Sequence, residues 1–300
     1  TLRWREAPSK GWVSVGQRQG RATPMSYQTI EVKPLNPTIG AEIRGVDLAG
    51  DVSIQQIDEI RQAFAAHSVV FFKDQRPLPP ARQISFAGQF GELLIHPAAP
   101  QHPDHPEIFV IHTHKDSRDA NGSIWHTDVP CEEEPPLGSM LQLHQVPSHG
   151  GDTLFASMYA AYDALSDQMK EFLAPLQAIH ESEHIYKGRY KGQGVDEAKQ
   201  RFPSAIHPIV CTHPATGRKF LFVNGAFTTR IKGLKKPESA AILQFLIEHS
   251  TREQFQVRHK WEVNDMAFWD NRCAQHLAMW DYWPEERKGH RVTIKGTRPV

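Results

Sequence analysis

Ser123-Ile124-Trp125-His126-Thr127-Asp128-Val129 is the stretch from which the chain is best read. His126 and Asp128 are two residues apart. In an extended strand such residues face the same way, about 7 Å apart along the chain. Trp125 and Val129 give aromatic and β-branched surroundings that suit a strand. Far downstream, Asp270-Asn271-Arg272-Cys273-Ala274-Gln275-His276 supplies another imidazole, and His276 can serve as a third ligand if the fold brings it near. Two histidines and one carboxylate on one side of a metal, with the other side open, form the donor set of non-haem Fe(II) sites. A bare His-x-Asp is a weak signal in a chain with 17 histidines. A second one, His102-Pro103-Asp104, lies between Pro100 and Pro106. Those prolines place it in a loop rather than a central strand, so it reads as a decoy.

Outward from this stretch the chain alternates short strands with a few helices. Asp51 or Ser53 caps a helix with Ile54, Ile57, Ile60, Ala63 and Phe64 on one face. Val69-Val70-Phe71-Phe72 and Ile108-Phe109-Val110-Ile111 are continuous apolar runs and read as buried strands. Pro80 opens a helix reaching Phe90, and Met158 to Leu165 and Met169 to Leu176 read as two more. Pro237 opens a helix with Ile242, Phe245, Leu246 and His249 on one face. Phe255 to Trp261, Met266 to Trp269 and Val292 to Lys295 are the closing strands. Glu181 to Phe202 is polar, with Gly188, Gly192 and Gly194, and reads as an excursion or lid. Gly150-Gly151 reads as a turn that frees Asp152 and Thr153. This pattern predicts a curled β-sandwich or jelly roll with helical inserts.

Composition narrows the function classes. A chain of 300 residues suits one mixed β domain and buries a large core without disulfides. A formal net charge of zero leaves no basic surface to drive nucleic-acid binding. No apolar run is long enough to span a bilayer. The expected partner is therefore a small molecule, with neither nucleic acid nor membrane involved. Cys131, Cys211 and Cys273 form no CxxC and read as small buried apolar residues. Glu132-Glu133-Glu134 reads as a solvated loop. His112, His114, His144, His149 and His184 read as surface or satisfied core histidines. Residues 1–24 carry Arg3, Arg5, Lys10, Arg18 and Arg21 against Glu6. They read as a leader or extended start, with Met25 a candidate initiator and one domain over residues 25–300.

Beyond His276 come Arg287 and Arg291, four apart and so on one face of an extended segment. A guanidinium fork matches the two oxygens of a carboxylate. Arg287 sits among Glu285, Glu286 and Lys288, surroundings that also suit a surface charge. Arg291, within His290-Arg291-Val292-Thr293-Ile294, reads as buried or pocket-facing.

Several further stretches belong with these: Ile39-Gly40-Ala41-Glu42-Ile43, Phe90-Gly91-Glu92, Gly150-Gly151-Asp152-Thr153, Leu221-Phe222-Val223-Asn224, Phe227-Thr228-Thr229-Arg230-Ile231 and Trp269-Asp270-Asn271-Arg272. With Trp125-His126-Thr127-Asp128-Val129 they resemble the taurine dioxygenase (TauD) family of Fe(II)/2-oxoglutarate-dependent dioxygenases. The resemblance runs from about Tyr27 to the C-terminus. It implies a mainly β fold, a double-stranded β-helix (jelly-roll) core with peripheral helices. It implies that His126, Asp128 and His276 bind Fe(II), and that Thr153 and Arg287 hold 2-oxoglutarate. Arg291 would reach both the co-substrate and the anionic head of the prime substrate. His96 would bond that head, and Val129, Tyr186 and Phe227 would form the apolar wall, with Tyr186 standing where taurine dioxygenase has Phe.

Two positions depart from the family pattern. Ala99 stands where taurine dioxygenase has Tyr, and Gly122 where it has Asn. Both lose polar contacts, so a roomier pocket and a longer or less amine-like substrate than taurine are expected. The implied reaction uses O2 and 2-oxoglutarate and hydroxylates the carbon next to a sulfonate or sulfate group. Its products are an aldehyde and sulfite or sulfate, with succinate and CO2, and its role is sulfur scavenging. The chain is further expected to be a cytoplasmic homo-oligomer, dimer or tetramer. The alternatives are an aryloxyalkanoate or other carboxylate-substrate dioxygenase, a zinc-dependent hydrolase on the same three ligands, and a non-catalytic cupin-like binding module.

Overall fold

Successive residues of a strand point to opposite faces, and in this chain both faces of the central strands are covered. In Val69–Phe72, Val69 and Phe71 join one apolar cluster while Val70 and Phe72 join another. Met266–Asp270 divides the same way, with Met266 and Phe268 on one side and Ala267 and Trp269 on the other. A sheet buried on both faces needs continuous apolar runs rather than alternation, which is why these strands were legible only as blocks. The computed structural model describes residues 26–191, 195 and 197–300. The leader expected over residues 1–24 lies outside the described residues, as do Gly192 and Gly194.

The large sheet runs in the order Glu31–Pro34, Ala41–Arg44, Val69–Phe72, Met266–Asp270, Gly138–Gln145, Arg287–Ile294, His105–Thr113 and Gln101–His102, with Leu93–Leu94 also paired to Arg287–Ile294. Ala41–Arg44 and Val69–Phe72 pair parallel, and Met266–Asp270 runs antiparallel between Val69–Phe72 and Gly138–Gln145. A second sheet, Gln256–His259, Thr153–Ser157 and Ala274–Ala278, is antiparallel. The two sheets meet through Phe155, whose ring lies 5.6 Å from Phe71 and 5.8 Å from Trp269. The result is the jelly-roll core, with 22% of the described residues helical and 30% in strands. On its outer face the Ile54–His67 helix stacks Phe64 on Phe268 at 3.9 Å. Ser53 and Gln56 close a capping box at that helix's start, a contribution on the order of 1 kcal/mol. No described helix is long and apolar enough to cross a membrane.

The elements differ from expectation in instructive places. Ile54 is in the first turn and faces solvent. The helix after Pro80 stops at Ala87, yet Phe90 still reaches the core. The helices expected from Met158 and Met169 run Met158–Asp163 and Asp167–Leu173. In Lys236–Ser250 Leu246 and His249 are buried as expected and Leu243 joins them, while Phe245 is exposed. Gly138–Gln145, Thr153–Ser157 and Ala274–Ala278 were not anticipated. Gly138–Gln145 hides Ser139 and Gln142 among its apolar residues. Buried polar residues that find hydrogen-bond partners break a hydrophobic pattern without weakening the strand.

Candidate active site

His126-Thr127-Asp128 does not lie in a strand. His126 forms an isolated bridge with His276, N to O at 3.1 and 2.8 Å in the two directions. Beyond it Val129 turns left-handed at φ 47°, an unusual conformation for a β-branched residue. Asn271 Oδ1 holds the kink by accepting from Asp128 N at 3.1 Å. The same-face placement expected from strand geometry is thus reached by a bridge and a turn. His126, Asp128 and His276 present ligand atoms within 4.8 Å of one another. Each Nε2 lies 3.9 Å from Asp128 Oδ1. Gly122 packs closely here: its φ is 82°, and an added Cβ would stand 3.0 Å from His126 Cε1, so a larger residue would push on the ring. This departure from the family pattern therefore brings backbone close to a candidate ligand.

The charges suit a cation. His126 Nδ1 lies 2.8 Å from the Ile124 carbonyl, so it carries the proton and leaves the Nε2 lone pair facing Asp128. Burial pushes the pKa of both imidazoles down, so both are neutral donors. Burial alone would raise the Asp128 carboxyl, but the Arg291 guanidinium, with the Ser139 hydroxyl donating to it, outweighs burial and holds it below the usual carboxylate range. His276 Nδ1 is buried without a hydrogen-bond partner among the described residues. Two neutral imidazole nitrogens and one carboxylate oxygen are the donors that a non-haem iron site uses, so the residues fit the metal.

Thr153 and Arg287 come together beside this group. Arg287 is 4% exposed, which corrects the surface-charge alternative. Its Nε donates to the Gly151 carbonyl at 3.2 Å and its Nη2 to Thr153 Oγ1 at 3.3 Å. Among the described residues no carboxylate pairs with it. A buried cation without a counter-charge is costly and calls for an anionic ligand. Thr153 Oγ1 also accepts from Trp261 Nε1 at 2.9 Å. With both lone pairs engaged, its own proton is left to donate. Gly150 and Gly151, both left-handed at φ 74° and 71°, make the turn that presents Thr153.

Arg291 Nη1 donates to Asp128 Oδ1 at 2.6 Å, its guanidinium lies 4.7 Å from the Phe109 ring, and its buried Nε has no partner among the described residues. His96 Nδ1 accepts from Ala98 N and Ala99 N at 3.2 and 3.0 Å. Its proton is therefore on Nε2. Burial, helped by Arg291, lowers its pKa to about 3, so it is a neutral donor.

His96, Val129, Tyr186 and Phe227 line the same cavity as His126, Asp128, His276, Thr153, Arg287 and Arg291. Asn224 Oδ1 accepts from Ala226 N and Phe227 N, a local turn that aims Phe227 at the wall. Ala99 is different. It is buried in a cluster with Tyr186 and Tyr190 and is not among the residues that line the cavity. The polar stretch from Glu181 also supplies a wall, with Ile185, Tyr186, Arg189 and Tyr190. Arg189 fastens it to Asn121 Oδ1 at 3.0 Å and to the Ala120 carbonyl at 2.9 Å. Sequence reasoning missed Trp261, Phe109, Asn121 and Arg189. Only Trp261 carried a signal, as a polar-edged aromatic closing an alternating run.

Other candidates fall away. His102 lies in a two-residue edge strand and its Nδ1 accepts from Asp104 N. His213, Asp270 and Cys273 form a second close group, but Arg272 already bonds both Asp270 oxygens. The three cysteines are buried and free.

The model of the taurine catabolism dioxygenase TauD, TfdA family matches residues 31–293. The chain is 36% identical over 286 residues to an alpha-ketoglutarate-dependent sulfate ester dioxygenase of Pseudomonas putida, covering 93% of this chain and 94% of that protein. It is 34% identical to an alkylsulfatase of Acinetobacter baylyi, covering 90% and 86%. Among solved structures, a taurine dioxygenase from Burkholderia xenovorans superposes with a TM-score of 0.78 at 34% identity, covering 91% of this chain and 93% of that one.

Proposed function

The chain belongs to the TauD, TfdA family and is a 2-oxoglutarate-dependent non-haem iron dioxygenase; within that class we propose that its prime substrate is an alkyl sulfate ester or alkylsulfonate, oxidised at the carbon bearing the sulfur group. One observation carries the reading. A single cavity holds two buried guanidiniums, Arg287 without a carboxylate partner among the described residues and Arg291 with an unbonded Nε. Two anions are therefore accommodated, a co-substrate dicarboxylate and an anionic prime substrate.

His126 Nε2, Asp128 Oδ1 and His276 Nε2 would hold Fe(II), which when bound supplies O2 activation and C–H oxidation coupled to conversion of 2-oxoglutarate to succinate and CO2. Arg287 and the Thr153 hydroxyl would clamp the far carboxylate of 2-oxoglutarate, two donors against two oxygens. Arg291 and His96 Nε2–H would take the sulfur oxyanion. The neutral state of His96 matters, because a neutral donor binds an anion without adding a second buried charge beside Arg291. Val129, Tyr186 and Phe227 would exclude water and hold the adjacent carbon toward the metal. Hydroxylation there gives an unstable ester or sulfonate, which collapses to an aldehyde and releases sulfate or sulfite. The names of the Pseudomonas and Acinetobacter relatives favour sulfate esters.

The test is a succinate-release assay over alkyl sulfates, alkylsulfonates and aryloxy acids, with sulfate and sulfite measured in parallel. Sulfate or sulfite should match succinate mole for mole. Fast succinate release with aryloxy acids and none of either sulfur anion would overturn the substrate class in favour of a carboxylate substrate.

A further inference from the structure

One buried polar ring reaches the candidate metal site from the large sheet. Asp128 Oδ2 accepts from Ser139 Oγ at 2.7 Å. Ser139 Oγ accepts from Asn271 Nδ2 at 3.0 Å and lies 3.2 Å from Thr293 Oγ1. Asn271 Oδ1 closes the ring by accepting from Asp128 N at 3.1 Å and from Trp269 Nε1 at 3.0 Å. Every member is buried. Ser139 itself sits in the middle of the ladder, opposite Trp269 on one side and Thr293 on the other.

We infer that Ser139 is a positioning residue whose hydroxyl occupies Asp128 Oδ2, so that Asp128 offers the metal Oδ1 alone. Ser139 has one proton to give, and its partners are unequal. Oδ2 is ionised, whereas the Thr293 hydroxyl is neutral, and a charge-assisted bond is about twice as strong. The proton therefore belongs to Oδ2. With Oδ2 held, Oδ1 is the oxygen that faces both imidazoles at 3.9 Å and Arg291 at 2.6 Å. A carboxylate bound through one oxygen would leave open a position that a chelating one would take, and 2-oxoglutarate and O2 would use the open positions. Hydrogen-bond partners of ligating side chains typically change metal affinity 10–100-fold. The inference rests on Asp128 being a ligand and is independent of the prime substrate.

The test uses metal-free full-length protein titrated with Co(II), followed by calorimetry and visible absorption, at a temperature where each variant is folded by circular dichroism. Ser139→Ala removes the hydroxyl. Ser139→Cys keeps the side chain's size and replaces a strong donor with a weak one, so the question stays answerable if the alanine variant fails to fold. The expected result is a Co(II) dissociation constant raised about tenfold, with an absorption spectrum shifted toward higher coordination. An affinity within about twofold of the parent with an unchanged spectrum overturns the inference, including where the unfolding midpoint falls, since that outcome marks a purely structural serine. Asp128→Ala is the reference in the same titration. If it still binds Co(II) as the parent does, the ligand assignment fails. If it loses Co(II) while both Ser139 variants bind normally, only the role of Ser139 fails.

Discussion

At one end of the cavity, Thr153, His276, Arg287 and Arg291 hang from strands of the two sheets, and His126 from a bridge to one of them. At the other end, His96, Arg189 and Tyr190 hang from loops and Tyr186 from the four-residue helix Glu183–Tyr186. The first end is fastened by backbone ladders and by side-chain hydrogen bonds, two of them charge-assisted, between residues more than 100 positions apart. The second is made mainly of rings in contact, such as His96 with Tyr186 at 5.1 Å and Tyr186 with Phe227 at 5.7 Å. Directional bonds fix atoms within a few tenths of an ångström, whereas apolar contact fixes only shape. The metal end is thereby suited to one chemistry, and the loop end to adjusting which substrates reach it.

Substitutions can break or sharpen that contrast. The largest effect is expected at Asp128: Asp128→Ala should abolish Fe(II) binding and turnover, read by metal content and succinate release. Retained 2-oxoglutarate decarboxylation would show that the strand-built end does not hold the metal. Next is Arg287→Ala, which removes a buried charged donor. The KM for 2-oxoglutarate should rise on the order of 100-fold while that for the sulfur substrate stays put. Equal rises in both would erase the division between co-substrate and substrate ends.

At the loop end Arg189→Ala should act more weakly, because such partly exposed polar links are worth about 1 kcal/mol. A change of about fivefold in substrate KM is expected, graded with substrate chain length, with 2-oxoglutarate unaffected. A uniform loss across all chain lengths would mean that this wall has no part in selection.

The smallest effect lies outside both ends. Glu59 straps the chain before the first strand, accepting from Gln28 N, Thr29 N, Thr29 Oγ1 and Ile30 N. Desolvation opposes its ionisation, but those bonds win and lower its pKa from 4.5 to about 2. Its stabilisation is thus full above pH 4.5 and lost as pH falls toward 2. Glu59→Gln should lower the unfolding midpoint at pH 7, and the gap from the parent should close toward pH 2. An undiminished gap at low pH would mean that the carboxylate charge is not what holds the strap.

Much of this was legible because chemistry leaves residue types behind. Histidines and a carboxylate, a Gly-Gly turn before Thr153 and two arginines four apart are identifiable wherever they fold. Val69–Phe72 and Met266–Asp270 were readable as buried strands because both their faces meet apolar clusters. Gly138–Gln145 was not, because Ser139 and Gln142 are buried polar residues whose partners are distant in sequence. Ala99 looked like a cavity residue and is a core residue, since one loop's path decides between the two.

Local sequence by itself offered His126, Asp128 and His276 as candidate donors, two arginines four apart and a β-sandwich or jelly roll, since each depends on residue type and short-range period; the family resemblance turned these candidates into a single expectation. Only the tertiary structure decided that His126 and Asp128 meet His276 through a bridge and a left-handed turn rather than along a strand. It alone decided that Arg287 is buried with no carboxylate paired to it among the described residues and that Ser139 takes one oxygen of Asp128. Those outcomes depend on hydrogen bonds between segments brought together by the fold, most of them across more than 100 residues of intervening chain and the Ser139–Asp128 bond across 11, and such bonds leave no periodic trace in the sequence.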